Sequence, residues 1–212
     1  AFLLADQNLD VKKYNEEWKG VTWATCTLRT WLNDTFLNTA FASAEQATIK
    51  NTTIVNDTID KVYLLSSAEA SNTAYGFNGD FNTKSETRVA TNTAYVADKD
   101  GMKAVGEADC WWGRSPGFRS SCASYVSDDG YGSSYGNDVD YGYTAVRPAL
   151  HLNLSPSTLW SYAGKVTSKG GGGSSQATST PTNTPTPVYS FRRGIDNNSF
   201  CHNNGNDSNW YC

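Results

Sequence analysis

Residues 111–150 read WWGRSPGFRSSCASYVSDDGYGSSYGNDVDYGYTAVRPAL, two apolar ends around a polar, tyrosine-rich middle. The ends have the composition of buried strands. Trp111 and Trp112 sit where a core meets an exposed face, and core packing is expected for at least one of them. Arg114 and Arg147 stand among apolar neighbours, so each should pair with a buried carboxylate or cap backbone carbonyls. The closing residues 146–154, with Val146, Leu150, Leu152 and Leu154, read as one final strand. The middle, 118–144, is rich in turn formers but also holds Tyr125, Tyr131, Tyr135, Tyr141 and Tyr143. A loop does not need five aromatic rings to stay in solution, so this stretch is the candidate for function.

N-terminal to it the chain mixes helix and strand. Leu28, Trp31, Leu32 and Phe36 fall at the i, i+3, i+4, i+8 spacing of one helical stripe, which predicts a helix over 27–36. Ser43 and Gln46 form a capping-box opening for a second short helix through Ile49. Residues 62–65 (VYLL) predict a short buried strand, and Ser67 could cap a helical turn carrying Glu69. A helical half followed by short, loop-rich strands predicts an α+β domain and not a βαβ array.

The composition narrows the function. The chain has 212 residues, 13% aromatic and 18% charged, with a net charge of −4. That balance lacks the basic footprint of a nucleic-acid partner. No run approaches the ~18–20 apolar residues of a membrane span, so direct insertion is not expected. The chain opens at Ala1-Phe2-Leu3-Leu4 without Met or a signal-peptide pattern, which reads as a processed or trimmed start. A Gly/Ser run at 170–175 followed by a Thr/Pro run at 178–187 reads as a linker over 169–187. The domains are therefore expected at 1–168 and, as the opening of a second module, 188–212. Cys26, Cys110, Cys122, Cys201 and Cys212 are odd in number and fit no zinc spacing. Unpaired thiols are expected, with a Cys26–Cys110 bridge as the alternative.

Five stretches occur in a consistent order: 25–41 (TCTLRTWLNDTFLNTAF), 60–70 (DKVYLLSSAEA), 88–96 (RVATNTAYV), 111–117 (WWGRSPG) and 146–150 (VRPAL). Together they resemble an uncharacterised domain family of bacterial surface proteins with WWxRSPG and GVRPAL motifs. Gly113 stands where that family has Leu, and Ala145 where it has Gly. The family is in turn similar to the formylglycine-generating-enzyme branch of the C-type-lectin-like fold. The resemblance implies a C-type-lectin-like fold with two short helices and short, loop-rich antiparallel strands, at an extracellular or cell-surface location.

Across the 27 positions 118–144, Lys, Glu, Gln, Met and Trp are all absent, although the rest of the chain uses each of them. These five types supply roughly a fifth of ordinary sequence, so the joint absence has a chance on the order of a few in a thousand. Codons ending in C encode every residue type found in the stretch and none of the five missing ones. Diversity-generating retroelements mutate template adenines and turn Asn codons ending in C into that set. Their known targets have the C-type-lectin-like fold with variable positions before a terminal strand, and this chain resembles them. Tyr gives amphipathic contact area at low rotamer cost, while Ser, Gly and Asp give adaptable hydrogen bonding, as in antibody paratopes.

The expected ligand-facing residues are Phe118, Arg119, Ser121, Tyr125, Asp128, Tyr131, Ser133, Tyr135, Asn137, Asp138, Asp140, Tyr141 and Tyr143. Ala123, Val126, Gly130, Gly136 and Val139 are the expected frame. Asp128, Asp129, Asp138 and Asp140 outnumber Arg119, which predicts a mildly acidic face. The partner would be a protein or glycan ligand, with no cofactor. A fixed carbohydrate- or cell-wall-binding module of the same fold is the alternative, and an inert spacer domain is a third reading.

Other chemistries fit less well. Asp98-x-Asp100-Gly101 and Asp138-x-Asp140 offer oxygen ligands, but neither continues into an EF-hand loop, and no metal site is expected. Trp31-Leu32-Asn33-Asp34 is like a lectin sugar motif but falls on the predicted helix. Formylglycine-generating enzymes use two cysteines late in the fold, and only Cys122 stands there. With His151 as the sole histidine of the domain, the sequence proposes no Ser/His/Asp set. Asp128 and Asp129, adjacent on a strand, would face opposite sides. Catalysis is not expected.

Overall fold

The computed structural model describes residues 1–54 and 58–155, and in addition the backbone of one antiparallel strand pair, Phe191–Arg193 with Phe200–His202. The expected domain end at 168, the linker and the remainder of the tail lie outside the described residues. In chain order the strands are β1 (Phe2–Leu4), β2 (Asp10–Val11), β3 (Thr52–Thr53), β4 (Ile59–Asp60), β5 (Val62–Tyr63), β6 (Trp111–Pro116), β7 (Cys122–Val126), β8 (Gly132–Asp138), β9 (Ala145–Val146) and β10 (Ala149–His151). The helices are α1 (Thr27–Trp31), α2 (Leu37–Ala40), α3 (Ser43–Gln46) and α4 (Ala94–Ala97). Few and short helices with largely antiparallel sheets, in which only β6 and β9 pair parallel among the described strands, make an α+β architecture.

Two sheets carry the domain. One has the order β1-β10-β5 and the other β2-β9-β6-β7-β8. The first eleven residues and the last strands run antiparallel beside one another through both sheets, Phe2 opposite His151 and Val11 opposite Ala145. The expected single strand 146–154 is thus two strands. Arg147 and Pro148 carry the chain from one sheet to the other, because Pro148 has no N–H to continue a ladder. Pro148 O still accepts from Ala5 N at 2.9 Å, and Leu154 is exposed.

Helix and cap expectations need three corrections. The helix predicted over 27–36 extends to Ala40, because Leu32–Phe36 forms a π-turn between α1 and α2. That turn moves the buried stripe from Leu28 and Leu32 to Leu37, five residues on, and leaves Trp31 and Phe36 only partly buried. The second helix ends at Gln46, and Ile49 instead bridges to Leu152. Its N-terminal carboxylate is Glu45, which accepts from Ala42 N at 2.8 Å. The cap before Glu69 is Ser66, not Ser67: Ser66 Oγ accepts from Glu69 N, and Glu69 Oε2 accepts from Ser66 N.

The core gathers residues from every stretch the sequence singled out. Val62, Tyr63, Leu64 and Leu65 are buried, as predicted, together with Leu28, Leu32, Val126 and Val139. Trp111 and Trp112 are both fully buried, although consecutive strand residues face opposite sides, so β6 is covered on both faces. Trp111 Nε1 donates to Arg88 O and Trp112 Nε1 to Lys12 O. Cys26, Cys110 and Cys122 are free thiols, so Cys26 and Cys110 are not bridged. Burial pushes the Cys26 thiol up to about 11, which keeps it protonated at neutral pH.

Buried polar side chains join the five ordered motifs. Asp60 accepts from Trp23 Nε1 and Arg29 Nε, both at 2.7 Å. Asn33 accepts from Lys61 N and Val62 N and donates to Val62 O, holding the helix against the strand edge. Arg114 pairs with both Glu69 oxygens and donates to Leu64 O. Arg147 caps Ala5 O and Arg88 O. Arg88 is fully buried. Its Nε donates to Gly130 O, Nη1 to Ala70 O and Asn78 O, and Nη2 to Asp80 O and Thr83 O.

Gly113 answers to packing at one point. A Cβ there would lie 2.5 Å from Ser124 Oγ, so the hydroxyl of the neighbouring strand occupies the space a side chain would need. Gly130 is held more tightly: its φ is +76° and a Cβ would sit 1.9 Å from Ser85 O.

Three substitutions probe this packing. Gly130→Ala should destabilise the domain by more than about 3 kcal/mol in denaturant unfolding, since neither strain nor overlap can relax against backbone. Gly142→Ala, with open space around it, should stay within about 0.5 kcal/mol. Arg88→Lys should cost about 3–5 kcal/mol, because three ammonium donors cannot replace a five-donor fork. Equal stability of Arg88→Lys and wild type would refute the carbonyl cage as a stabilising element.

Candidate ligand-binding face

The candidate face is built on the β7–β8 hairpin at the sheet edge. The residues expected as frame are locked. Ala123, Val126 and Val139 are buried. Gly130 and Gly136 both have positive φ and backbone atoms within 3 Å of where a Cβ would be. The loop before α4 braces the outer edge of β8. Phe81 O accepts from Gly132 N, and Asn82 Oδ1 accepts from Ser134 N and Oγ.

The turn of the hairpin is anchored by charge. Asp129 accepts from Tyr131 N and Ser127 Oγ and pairs with Lys84 at 2.6 Å, and Asp128 pairs with Lys103. The Lys84 ammonium, then Ser127 and the Tyr131 amide, hold the Asp129 carboxyl far below the usual carboxylate range.

The other end of the hairpin presents aromatic rings. Phe118 and Tyr135 stack with centroids 3.8 Å apart, and the Arg119 guanidinium lies 4.8 Å from the Phe118 centroid. Arg119 Nη2 donates to Asp138 Oδ1 at 3.1 Å. The same oxygen faces the Cys122 thiol and Trp18 Nε1, at 3.4 and 3.5 Å. The Cys122 hydrogen bond first, then Trp18 and Arg119, keep this carboxyl ionised below its ordinary range. Asp138 also forms one wall of an open cleft of about 630 Å³. Tyr141 and Tyr143, edge to face at 5.6 Å, line it with Asp140, and Lys13, Lys99 and Asp100 complete it.

Against the expected site residues, the structure draws a narrower face. Phe118, Arg119, Asp128, Tyr131, Tyr135, Tyr141 and Tyr143 are exposed, and Asn137, Asp138 and Asp140 are half-buried. Ser121 and Ser133 are buried and do not face a ligand. Ser121 O accepts from Val139 N, and Ser133 Oγ from Gly136 N, so both belong to the frame. Tyr125 lies opposite Trp112 and packs partly on the core. Tyr131 sits on the anchored turn, away from the Phe118–Tyr135 stack. The predicted acidity is also corrected. Lys13, Lys84, Lys99 and Lys103 come from distant sequence and balance the aspartates. Sequence reasoning missed these lysines, and Trp18 with them. Exposed Trp18, in a polar surrounding with no strand pattern, was the one available signal.

Among the described residues no group of three or more His, Cys, Asp or Glu side chains is placed to hold a metal ion. No helix there is long and apolar enough to cross a membrane. No curated protein and no solved structure matches the chain. One family model does match, over residues 1–154, a span that contains all five ordered motifs and both sheets. The chain belongs to the family described as Domain of unknown function (DUF6273).

Proposed function

We propose that this domain is a binding-display module of C-type-lectin-like fold, carried on the exterior of a bacterial cell, whose surface within 118–144 is diversified by a retroelement and which performs no catalysis. Two features support the fold reading. The first and last strands pair into a ribbon through both sheets, and the helices precede a hairpin sheet that ends the domain.

The observation that carries the functional reading is a division of labour inside one stretch. Small and apolar residues there are buried or locked by backbone contact, while Phe118, Tyr135, Tyr141 and Tyr143 project from the same segment into solvent. Side chains of the second kind can be exchanged without touching the core, which a diversified surface requires. Tyr, Phe and Arg are also the residues that dominate binding energy where interfaces have been mutated.

Two experiments test the proposal. DNA flanking the gene should hold a reverse-transcriptase gene and a repeat matching the codons for residues 111–147, with differences only at adenines of the repeat. Absence of both would falsify the proposal. In the protein, libraries randomised with C-ending codons at Phe118, Tyr135, Tyr141 and Tyr143 should unfold cooperatively, most members within about 0.5 kcal/mol of wild type. The same codons at Ala123, Val126 and Val139 should leave most members destabilised by about 1–3 kcal/mol or more through overpacking and buried polar groups.

A further inference from the structure

Nearly half of the cleft under Tyr141 and Tyr143 comes from outside the tyrosine-rich stretch. Val11 ends β2 and Lys13 follows two residues on, and Lys99 and Asp100 lie at the turn that follows α4. That turn also seats an aromatic wall. Gly101 has φ +76°, and a Cβ there would lie 2.5 Å from Tyr143 Cδ1, so the ring rests directly on the glycine backbone. Gly101 therefore serves two needs at once, a left-handed turn and a ring packed flat against it.

The charges of the cleft are balanced and held apart. Asp138 is engaged by Arg119. Lys13 and Lys99 then face Asp100 and Asp140, two cations against two carboxylates. Among the described residues no salt bridge joins either lysine to either aspartate. Lys99 Nζ instead lies 3.9 Å from the centroid of the Tyr95 ring, with the carboxylates of Asp10 and Asp98 acting on it from outside the cleft lining. Charges of both signs, kept from neutralising one another beside two aromatic rings, suit a ligand that brings both signs itself. The cleft volume of about 630 Å³ falls within the ~300–1,000 Å³ usual for ligand sites.

We propose that this cleft takes a peptide segment bearing both a carboxylate and an ammonium or guanidinium group, and that Lys13, Lys99 and Asp100 supply the fixed half of its recognition. The inference rests on the binding reading above and adds the ligand class. The tyrosines and Asp140 are exchangeable on that reading, whereas the second half of the cleft is not, so every version of the site keeps a preference for mixed charge.

The test uses the full chain against two probes, an array of random peptides and an array of neutral glycans. Enriched peptides should carry at least one acidic and one basic residue. Their binding should weaken between about 0.1 M and about 1 M NaCl, where the screening length falls from about 10 Å to about 3 Å. Lys13→Ala, Lys99→Ala and Asp100→Asn should each weaken binding roughly three- to tenfold, and Ile59→Ala, exposed on β4 and not part of the cleft, should not. Gly101→Ala should weaken it as well by moving Tyr143. Those outcomes support the inference. Enrichment of peptides of one sign, indifference to the three charge variants, or capture of neutral glycans alone overturns it. A genome without the adenine-differing repeat, with peptide binding intact, removes the diversification instead and leaves the cleft.

Discussion

The rest of the structure depends on one guanidinium group placed where no water reaches it. Arg88 carries its charge into the core with all five N–H donors spent on backbone carbonyls of residues 70, 78, 80, 83 and 130. Removing such an ion from water costs several kcal/mol. Hydrogen bonds from a charged donor contribute about 1.5–3 kcal/mol each, so five together offset that cost, and only if every carbonyl keeps its place. A buried cation satisfied entirely by carbonyls therefore fixes the loop over 70–83 and the hairpin turn relative to each other. The Arg88 carbonyl extends the constraint, since it accepts from both Trp111 and Arg147.

This constraint explains why the hairpin is rigid at one end and decorated at the other. At the turn, Gly130 is clamped between the Arg88 fork and Ser85, and Lys84 and Lys103 pair with the two aspartates. At the far end, among the described residues, nothing comparable covers Phe118 and Tyr135. Their mutual stacking and the Arg119 contact give them order without burial. A surface made this way presents rings at low conformational cost to a partner, because the frame beneath has already lost its freedom.

Much of the scaffold was legible from local patterns. The apolar stripe at Leu28 and Leu32 and the run Val62–Leu65 follow from periodicity, and the frame positions Ala123, Val126 and Val139 follow from the resemblance to a family with small or apolar residues there. The π-turn at Leu32–Phe36 was not legible, because it changes helical register without a distinctive residue. The break at Arg147 and Pro148 was not either, since an apolar strand reads the same whether it serves one sheet or two. The sequence places Ser121 and Ser133 on the face as residues between frame positions, whereas the structure buries both, Ser121 just before β7 and Ser133 beside the bulge of the hairpin.

The sequence by itself determined the composition of the face: which residue types it draws on, which stretch contains them, and that arginines and tryptophans flank it. These properties are local, set by side-chain chemistry and spacing along one segment. Only the tertiary structure decided the electrostatics and the shape of the site. Lys13, Lys84, Lys99, Asp100 and Lys103 reach it from segments far away in the chain. Their meeting depends on the ribbon of first and last strands and on the Arg88 cage, long-range contacts for which no single stretch carries a local signal.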